Sequence, residues 1–290
     1  MSHAIIIPIY CKNRNTIILC NELQNFGAEH IVVVNDGLNP KSEYFNELTS
    51  IGCHLVHLKN NNGKGASLKA GIKYAHDNLY NITGYITCDA DGQHTANDVM
   101  KISRMLDLRN GSLILGKRDY KKSKMPINIR IGNRLSSAYF KVITGKSCRD
   151  TQTGLRGIPA FLYDTVMKTK GSRFDFEMNF LTKCADMRVP FYFVNIIADC
   201  SNCSSNFRLI KDTYLIYRTP LRFATASIGC TIIDLVLFTI FAYILPSHMF
   251  FNIMLATLMA RVVSGGINFL INRKVIFGNT DNGCLLYTSD

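Results

Sequence analysis

Short apolar runs alternate with helix-like segments over most of the chain, and this alternation restricts the fold more than any other feature. The apolar runs, which predict β-strands, cover residues 4–9, 30–34, 53–58, 85–88 and 112–115. The segments between them, which predict helices, cover residues 15–26, 41–50, 66–79 and 97–108. Strand–helix alternation at these lengths predicts an α/β domain built on a doubly wound, mostly parallel sheet.

Polar clusters follow the first four predicted strands, and in a doubly wound sheet ligands bind at the carboxyl ends of the strands. In chain order these clusters read "PIY", "NDG", "KNNNGKG" and "DADGQ". Further along, the pattern predicts a basic amphipathic helix over 128–145, a loop "CRDTQTGLRG" over 148–157, a helix over 174–187 and a strand over 189–196. The sequence therefore predicts a binding site at one edge of the sheet.

Asp89 and Asp91 lie one residue apart directly after the fourth predicted strand. A tight turn with two solvated acids is one interpretation. A calcium loop of the EF-hand type is excluded, because its twelfth position, which requires an acid, is Met100. Alternate residues of an extended segment point the same way, so both carboxylates can face one hard divalent cation. Their position after a strand favours the metal site over the turn.

Two more of these clusters allow both a structural and a functional interpretation. "NDG" is a common turn, but Asp36 could also accept hydrogen bonds from a nucleobase or ribose. "NNGKG" lacks the spacing of a Walker P-loop. It could still bring backbone N–H groups and Lys64 to a nucleotide at a helix N-terminus, or be an ordinary strand–helix loop.

Two apolar runs, over 223–245 and 249–271, are each long enough to cross a bilayer as a helix, which takes about 20 residues. Basic residues at 208, 211, 218, 222, 273 and 274 flank the pair. The positive-inside rule therefore predicts a membrane hairpin with both ends in the cytoplasm. Asp234 and Arg261 fall near the middle of the two runs, where lone charges are costly, and the sequence predicts that they contact each other.

The net charge of +12 raises the question of nucleic acid, but its distribution favours other partners. A basic run over 117–149 contains a single acid, Asp119, and includes Arg130 and Arg134, which lie four apart on one helical face. Anionic lipid headgroups or a phosphorylated substrate explain this run better than DNA, although a solvated basic face remains an alternative, above all for the lysines at 121, 122 and 124. Ten cysteines without a signal peptide predict reduced thiols in a cytoplasmic domain, and the isolated "CSNC" at 200–203 predicts no zinc site.

Taken in order, the motifs resemble those of family 2 glycosyltransferases, and more narrowly the polyprenyl-phosphate hexosyltransferases related to dolichol-phosphate mannose synthase. The matching segments are "PIY", "VVNDG", "NNGKGASLKAG", "CDADGQH", "GKR", "DTQTGLRG" and "RFDFEMNF". The first departs from the family pattern, since Cys11-Lys12 stands where a pair such as Asn-Glu is usual. "RFATASIGCTIIDLVLF" and "INFLINRKVIF" resemble a GtrA-like membrane domain, which usually has four spans where this chain shows two.

The resemblance implies a GT-A fold and inverting transfer of a hexose from a nucleotide sugar of the UDP-glucose or GDP-mannose type to a polyprenyl phosphate. Mg²⁺ or Mn²⁺ would bind Asp89, Asp91 and Gln93. The donor would contact Pro8, Tyr10, Asp36, Lys64 and Asp89. The catalytic residues would be Asp91, Asp150 and Glu177, and the acceptor phosphate would bind Arg118, Arg130 and Arg134. For Asp150 an alternative stays open, a loop carboxylate paired with Arg149 or Arg156.

These inferences predict four segments: a cytoplasmic GT-A domain over 1–205, a basic juxtamembrane segment over 206–222, a truncated GtrA-like domain over 223–277, and a tail of unclear origin over 278–290. The chain is expected in the cell membrane as a multi-pass protein. The absence of tryptophan, and so of the QxxRW motif of processive synthases, favours single transfer. The alternative function is a non-catalytic membrane anchor or flippase subunit that binds lipid phosphate, and a homo-oligomer stays open in either case.

Overall fold

A computed structural model describes residues 2–118, 127–173, 175–197, 209–244 and 250–271. The chain divides into two compact units, residues 1–208 and 209–290. The predicted boundary between residues 205 and 206, the "CSNC" segment, the lysines at 121, 122 and 124, and the tail over 278–290 lie outside the described residues.

The first unit alternates strands and helices along its length. Its strands are β1 (Ser2–Ile9), β2 (His30–Asp36), β3 (His54–Leu58), β4 (Ile82–Thr87), β5 (Leu113–Arg118), β6 (Arg156–Pro159) and β7 (Phe191–Ile196). Its α-helices are α1 (Arg14–Asn25), α2 (Glu43–Ser50), α3 (Lys64–Asn78), α4 (Ala96–Leu108), α5 (Ile127–Thr144), α6 (Tyr163–Lys168) and α7 (Asp175–Asp186). A short 3₁₀ turn, Ala160–Leu162, leads into α6.

The seven strands form one sheet in the order β3-β2-β1-β4-β6-β5-β7. Every neighbouring pair is parallel except the two pairs made by β6, which runs antiparallel to both β4 and β5. The prediction of a mostly parallel, doubly wound sheet is confirmed. The prediction of a loop throughout 148–157 is wrong at its end, because β6 begins at Arg156; its four residues include a glycine and a proline and show no periodicity.

Successive strand residues point to opposite faces of the sheet, and helices pack against the apolar side chains on both faces. On one face Ile6 and Val34 belong to a core cluster completed by residues of α3, α5 and α7. On the other face Ile5 and Val33 belong to a second cluster, completed by residues of α1, α2 and α4. This arrangement gives the unit two separate cores, one on each face of the sheet.

The direction of β6 matters for the site. The carboxyl ends of the parallel strands lie at one edge of the sheet, and an antiparallel strand begins where its parallel neighbours end. The loop before β6 therefore reaches the same edge as the residues that follow β4 and β5. In the register, Thr87 at the end of β4 pairs with Arg156 at the start of β6. Gly154 is thus brought to the side of Asp89, and Asp150 is brought to Arg118 at the end of β5.

Within residues 209–244 and 250–271, the described part of the second unit, the chain forms two long helices, α8 (Leu209–Ile244) and α9 (Phe250–Ile271). Within them, Ser227–Ile244 and Asn252–Leu270 are long and apolar enough to cross a membrane by length and composition. The predicted contact between the two charges is present, since Arg261 Nε lies 3.4 Å from Asp234 Oδ2. Ser264 donates a further hydrogen bond of 2.8 Å to Asp234 Oδ1, so this carboxylate has partners on α9 at both oxygens.

Candidate active site

The loop that follows β4 is held by the first turn of α1. The Asn13 side chain caps this helix by accepting from Asn15 N at 2.9 Å. Thr16 then donates to the carbonyl of Ala90 at 3.1 Å, and the Asn15 amide donates to the carbonyl of Asp91 at 3.3 Å. Both carbonyls belong to the "DADGQ" segment. The backbone that carries Asp89 and Asp91 is therefore fixed by side chains of α1, which follows β1, the strand next to β4 in the sheet.

Asp89 lies in an ion-pair cluster. Its Oδ1 is 2.6 Å from Lys64 Nζ, at the start of α3, and its Oδ2 is 3.5 Å from His94 Nε2. Burial acts to raise the pKa of the Asp89 carboxyl, but Lys64 and His94 outweigh it and hold that pKa far below its usual range. Asp89 is therefore an anion throughout the physiological range, as a ligand for a cation must be.

Gly154 lies against the Asp89 carboxylate, at the point where a side chain would overlap it. A methyl group built on Gly154 would collide with all three atoms of that carboxylate. The Thr87 hydroxyl fixes this approach by donating to the Gly154 carbonyl at 2.7 Å. Gly154 belongs to the motif "DTQTGLRG", which by itself indicates no role for this glycine. Its signal, a glycine in a polar loop, becomes informative only when the loop is known to cross the end of β4.

Asp91 and Gln93 form a local contact on the half-exposed side of the same loop. Asp91 Oδ1 accepts from the backbone N–H of Gln93 at 3.1 Å, and the Gln93 side-chain amide lies against Asp91 Oδ2. Among the described residues no three His, Cys, Asp or Glu side chains are grouped to hold a metal ion. The predicted ligands, two carboxylates and the amide oxygen of Gln93, would form only a partial set, and their role as ligands stays a prediction. Such a partial set is the arrangement that Mg²⁺ favours when substrate phosphates and waters complete its shell.

Asp36, predicted to contact the donor, is buried and already bound to the "NNGKG" loop. Its Oδ1 accepts from the backbone N–H of Asn62 at 2.7 Å, and its Oδ2 accepts from that of Gly63 at 2.9 Å. Gly63 has a φ of +94°, a backbone conformation that residues with a side chain rarely adopt, and it directly precedes Lys64. Asp36 thus positions the loop that presents Lys64. Of the other predicted donor residues, Pro8 lies in β1 and is partly buried, whereas Tyr10 follows that strand and is exposed.

Asp150 is fully buried and forms a two-point ion pair with Arg118, the last residue of β5. Arg118 Nε lies 2.7 Å from Asp150 Oδ2, and Nη2 lies 2.8 Å from Oδ1. The backbone N–H groups of Arg118 and Gln152 also donate to this carboxylate. The predicted alternative partners, Arg149 and Arg156, were the wrong choices. Two residues assigned to separate roles, one to catalysis and one to the acceptor phosphate, are instead each other's partners.

Arg156 supports the "DTQTG" loop from beneath. Its guanidinium donates to the carbonyls of Thr151, Thr153 and Glu177 at 3.0–3.2 Å. It also lies 3.9 Å from the Glu177 carboxylate, whose Oε1 is 3.1 Å from Lys64 Nζ. The structure thus joins Lys64, Asp89 and Glu177 in one cluster, and Arg156 connects this cluster to the "DTQTG" loop.

The remaining predicted acceptor residues, Arg130 and Arg134, are exposed on α5. Successive helical residues are about 100° apart, so positions four or seven apart share a face. A stripe of exposed apolar side chains runs along α5: Ile131, Leu135, Ala138 and Val142. A row of exposed basic side chains runs beside it: Arg130, Arg134 and Lys141. Phe140 lies in the core on the opposite face. Apolar and basic side chains arranged in this way are typical of helices that lie at a membrane surface.

The chain is similar to a known protein family and to individual proteins of known sequence. A family model described as Glycosyl transferase family 2 matches residues 4–164. A protein of Methanocaldococcus jannaschii that carries no assigned function is 31% identical over 188 residues, 61% of this chain and 73% of that protein. The UDP-N-acetylglucosamine–dolichyl-phosphate N-acetylglucosaminyltransferase of Methanococcus voltae is 28% identical over 172 residues, 52% of this chain and 67% of that protein.

Solved structures share the fold. Glucosyl-3-phosphoglycerate synthase from Mycobacterium tuberculosis, in complex with Mn²⁺, UDP-glucose and glycerol 3-phosphate, matches with a TM-score of 0.56 at 12% identity, covering 76% of this chain and 78% of that chain. The same enzyme with Mg²⁺ and UDP also has a TM-score of 0.56 at 12% identity, over 76% of this chain and 77% of that chain. At this identity the likeness establishes the fold, and the predicted GT-A class is confirmed. Because the family model covers more than half of the chain, the chain belongs to glycosyl transferase family 2 and uses a nucleotide sugar as donor.

Proposed function

We propose that the protein transfers a hexose, with inversion, from a nucleotide sugar of the UDP-glucose or GDP-mannose type to a polyprenyl phosphate at the cytoplasmic face of a membrane. The observation that carries the proposal is the cluster at the carboxyl edge of the sheet, where Asp89 and Asp91 follow β4 beside Lys64. The relative from Methanococcus voltae, whose name gives a dolichyl phosphate acceptor, supports a lipid phosphate. The two candidate membrane helices support a site close to lipid.

Asp89, Asp91 and Gln93 would hold a divalent cation, Mg²⁺ or Mn²⁺. The residues present fit such an ion: both carboxylates belong to a loop whose backbone is fixed by α1, and Gly154 leaves room for the Asp89 carboxylate. When bound, the cation would act as a Lewis acid that stabilises negative charge on the leaving nucleoside diphosphate. Pro8, Tyr10, Asp36 and Lys64 would contact the donor, with Asp36 acting through the backbone that it holds.

In the transfer, the bond between the anomeric carbon and the donor phosphate breaks, and a bond from the acceptor phosphate oxygen to that carbon forms on the opposite face. The nucleoside diphosphate leaves with the electron pair of the broken bond. A phosphate monoester oxygen is already anionic near neutral pH, so the chain need not supply a strong base. Asp150 and Glu177 would then orient substrates, and Asp150 would do so through Arg118.

The acceptor phosphate would bind Arg130 and Arg134 on α5. Their planar guanidinium groups suit phosphate oxygens, and both are exposed next to the apolar stripe, where a lipid chain or bilayer surface could pack. Arg118 is placed differently, because its guanidinium is buried on Asp150. The C-terminal unit would anchor the enzyme as a multi-pass, GtrA-like domain, with Asp234 and Arg261 as a charge pair inside the bilayer.

The main test is a donor screen on the full chain in detergent or nanodiscs. Radiolabelled nucleotide sugars would be supplied with polyprenyl phosphate and Mg²⁺, and transfer followed as label extracted into organic solvent. One donor should support transfer, and Asp91→Ala should lower the rate by about 10²–10³-fold, since loss of several kcal/mol of charge stabilisation costs tenfold for each 1.4 kcal/mol. If no donor supports transfer and Asp91→Ala behaves as wild type in metal and lipid binding, the non-catalytic anchor becomes the better hypothesis.

Arg130→Gln combined with Arg134→Gln should raise the KM for the lipid acceptor and leave the KM for the donor unchanged. Two charge-assisted hydrogen bonds to phosphate are removed, each worth roughly 1.5–3 kcal/mol, so an acceptor KM at least about tenfold higher is expected. Steady-state kinetics with each substrate varied in turn checks this result. Arg104→Gln, an exposed arginine on α4, is the matched control. An equal rise in both KM values would contradict a direct role at the acceptor.

A further inference from the structure

The ammonium group of Lys64 lies between two carboxylates of the candidate site. Its Nζ is 2.6 Å from Asp89 Oδ1 and 3.1 Å from Glu177 Oε1. The exposed fractions of the three side chains are 17% for Lys64, 21% for Asp89 and 10% for Glu177. Such a cluster has one positive charge for two negative charges, and Arg156, 3.9 Å from Glu177, supplies a second cation on the far side. Lys64 is therefore the cation paired with Asp89 Oδ1, while Oδ2 lies 3.5 Å from His94 Nε2.

The surroundings of the three groups differ in how much they allow each to move. The Asp89 carboxylate is confined by Gly154, and Glu177 retains Arg156 if Lys64 leaves. Lys64 is the first residue of α3, and its ammonium group is carried on a flexible four-carbon stem. The group best able to move is thus the ammonium, which can leave Asp89 while staying within reach of Glu177.

We propose that Lys64 is a displaceable counter-ion: it neutralises Asp89 while the donor site is empty and gives up this carboxylate when the nucleotide diphosphate arrives with its divalent cation. The inference rests on the proposed function, since it assigns Asp89 to the cation. A divalent cation on Asp89 would lie close to the Lys64 ammonium, and like charges at that separation repel strongly. The diphosphate offers the ammonium a new anionic partner, so metal and nucleotide favour each other's binding.

This arrangement gives the free protein a weak metal site and the nucleotide-bound protein a strong one. Coupling between two ligands is reciprocal, and typical values change affinity by about 5–150-fold. Lys64 acts through Asp89 on the metal and is in this respect a positioning residue. Its removal should do something that simple damage to the site would not do, namely strengthen metal binding to the free protein.

The test measures Mn²⁺ binding to the full chain by electron paramagnetic resonance, without nucleotide and with UDP or GDP. In wild type, either UDP or GDP, whichever the protein recognises, should tighten Mn²⁺ binding by about tenfold or more. In Lys64→Met, Mn²⁺ should bind the free protein about tenfold more tightly, and the added effect of nucleotide should fall to within about twofold. Lys64→Gln, which can still hydrogen bond to both carboxylates, replaces Lys64→Met if that variant does not fold.

Two controls separate this inference from the proposed function. Lys73→Met removes an exposed lysine of the same helix, paired with Asp77 at 2.6 Å, and should bind Mn²⁺ as wild type does. Asp91→Ala should abolish Mn²⁺ binding with and without nucleotide. If wild type binds Mn²⁺ through Asp91 but folded Lys64→Met binds it no more tightly than wild type, the counter-ion role is overturned and the proposed function stands. If Asp91→Ala leaves Mn²⁺ binding unchanged, the metal assignment itself fails.

Discussion

Asp150→Ala should lower the thermal unfolding midpoint of the first unit by about 10 °C. The variant leaves the Arg118 guanidinium buried without its two-point partner, and removing one member of a buried ion pair typically costs 3–5 kcal/mol. For a unit of this size, each kcal/mol shifts the midpoint by about 2–4 °C. The backbone N–H groups of Arg118 and Gln152 lose an acceptor as well, which acts in the same direction.

Buried cysteines give a direct readout of this unfolding in the full chain. Cys20, Cys53, Cys88, Cys148 and Cys184 are free and buried, so a maleimide dye should label them only as the first unit unfolds. The matched control is Asp77→Ala, which removes an exposed carboxylate from an i,i+4 pair worth only a few tenths of a kcal/mol. An Asp150→Ala midpoint within 2 °C of the control would show that the pair with Arg118 does not stabilise the fold.

The expected loss of stability bears on how Asp150 should be assigned. Its sequence setting, an acid in a polar loop before a glycine, is compatible with a group that touches substrate. The structure places it out of solvent with all its partners inside the protein. Loss of transfer in Asp150→Ala would therefore not identify a catalytic group by itself. Asp150→Asn, which keeps the shape and one acceptor oxygen, is the variant whose kinetics would be informative.

Much of the fold was predictable because its signals are local. The buried parallel strands are continuous apolar runs, such as "IIIPI" in β1 and "IVVV" in β2. The missed strand, β6, lacks such a signal. Its residues "RGIP" gain their structure from pairing with β4 and β5, which are distant in sequence. A strand held in this way depends on its neighbours more than on its own composition.

In the candidate site, too, the residues with a local sequence signal were predictable and those without one were not. Asp89 and Asp91 were identifiable because two acids after a strand form a local pattern, whose place at the sheet edge follows from the fold class. The partners of charged groups were not identifiable. Arg118 meets Asp150 only because β6 is antiparallel, and Lys64 reaches Glu177 only because α3 and α7 belong to the same core layer. The sequence offers several basic residues as partners for each acid, and only the tertiary packing determines which of them forms the ion pair.

Gly154→Ala should reduce transfer by about 10²-fold or more while leaving the fold largely intact. The backbone of Gly154 is not in the left-handed region, so alanine can adopt its conformation without strain. The new methyl group, however, would occupy the space of the Asp89 carboxylate. Asp89 must turn away and lose its present position beside Lys64, and a displacement of about 1 Å in a reacting geometry can cost 10²-fold.

The measurement compares the transfer rate and Mn²⁺ affinity of Gly154→Ala with those of Gly229→Ala. Gly229 lies in α8 with no atom within 4 Å of the added methyl group, so that variant should behave as wild type. Gly154→Ala should lose both transfer and Mn²⁺ affinity, with a midpoint shift of no more than a few degrees, because the overlap falls on the end of one side chain and not on backbone. Retention of more than a tenth of the wild-type rate would mean that the position of Asp89 is not critical. Loss of transfer with unchanged Mn²⁺ affinity would instead assign Gly154 to the sugar or acceptor. If Asp89 holds the metal, displacing this carboxylate must weaken Mn²⁺ binding.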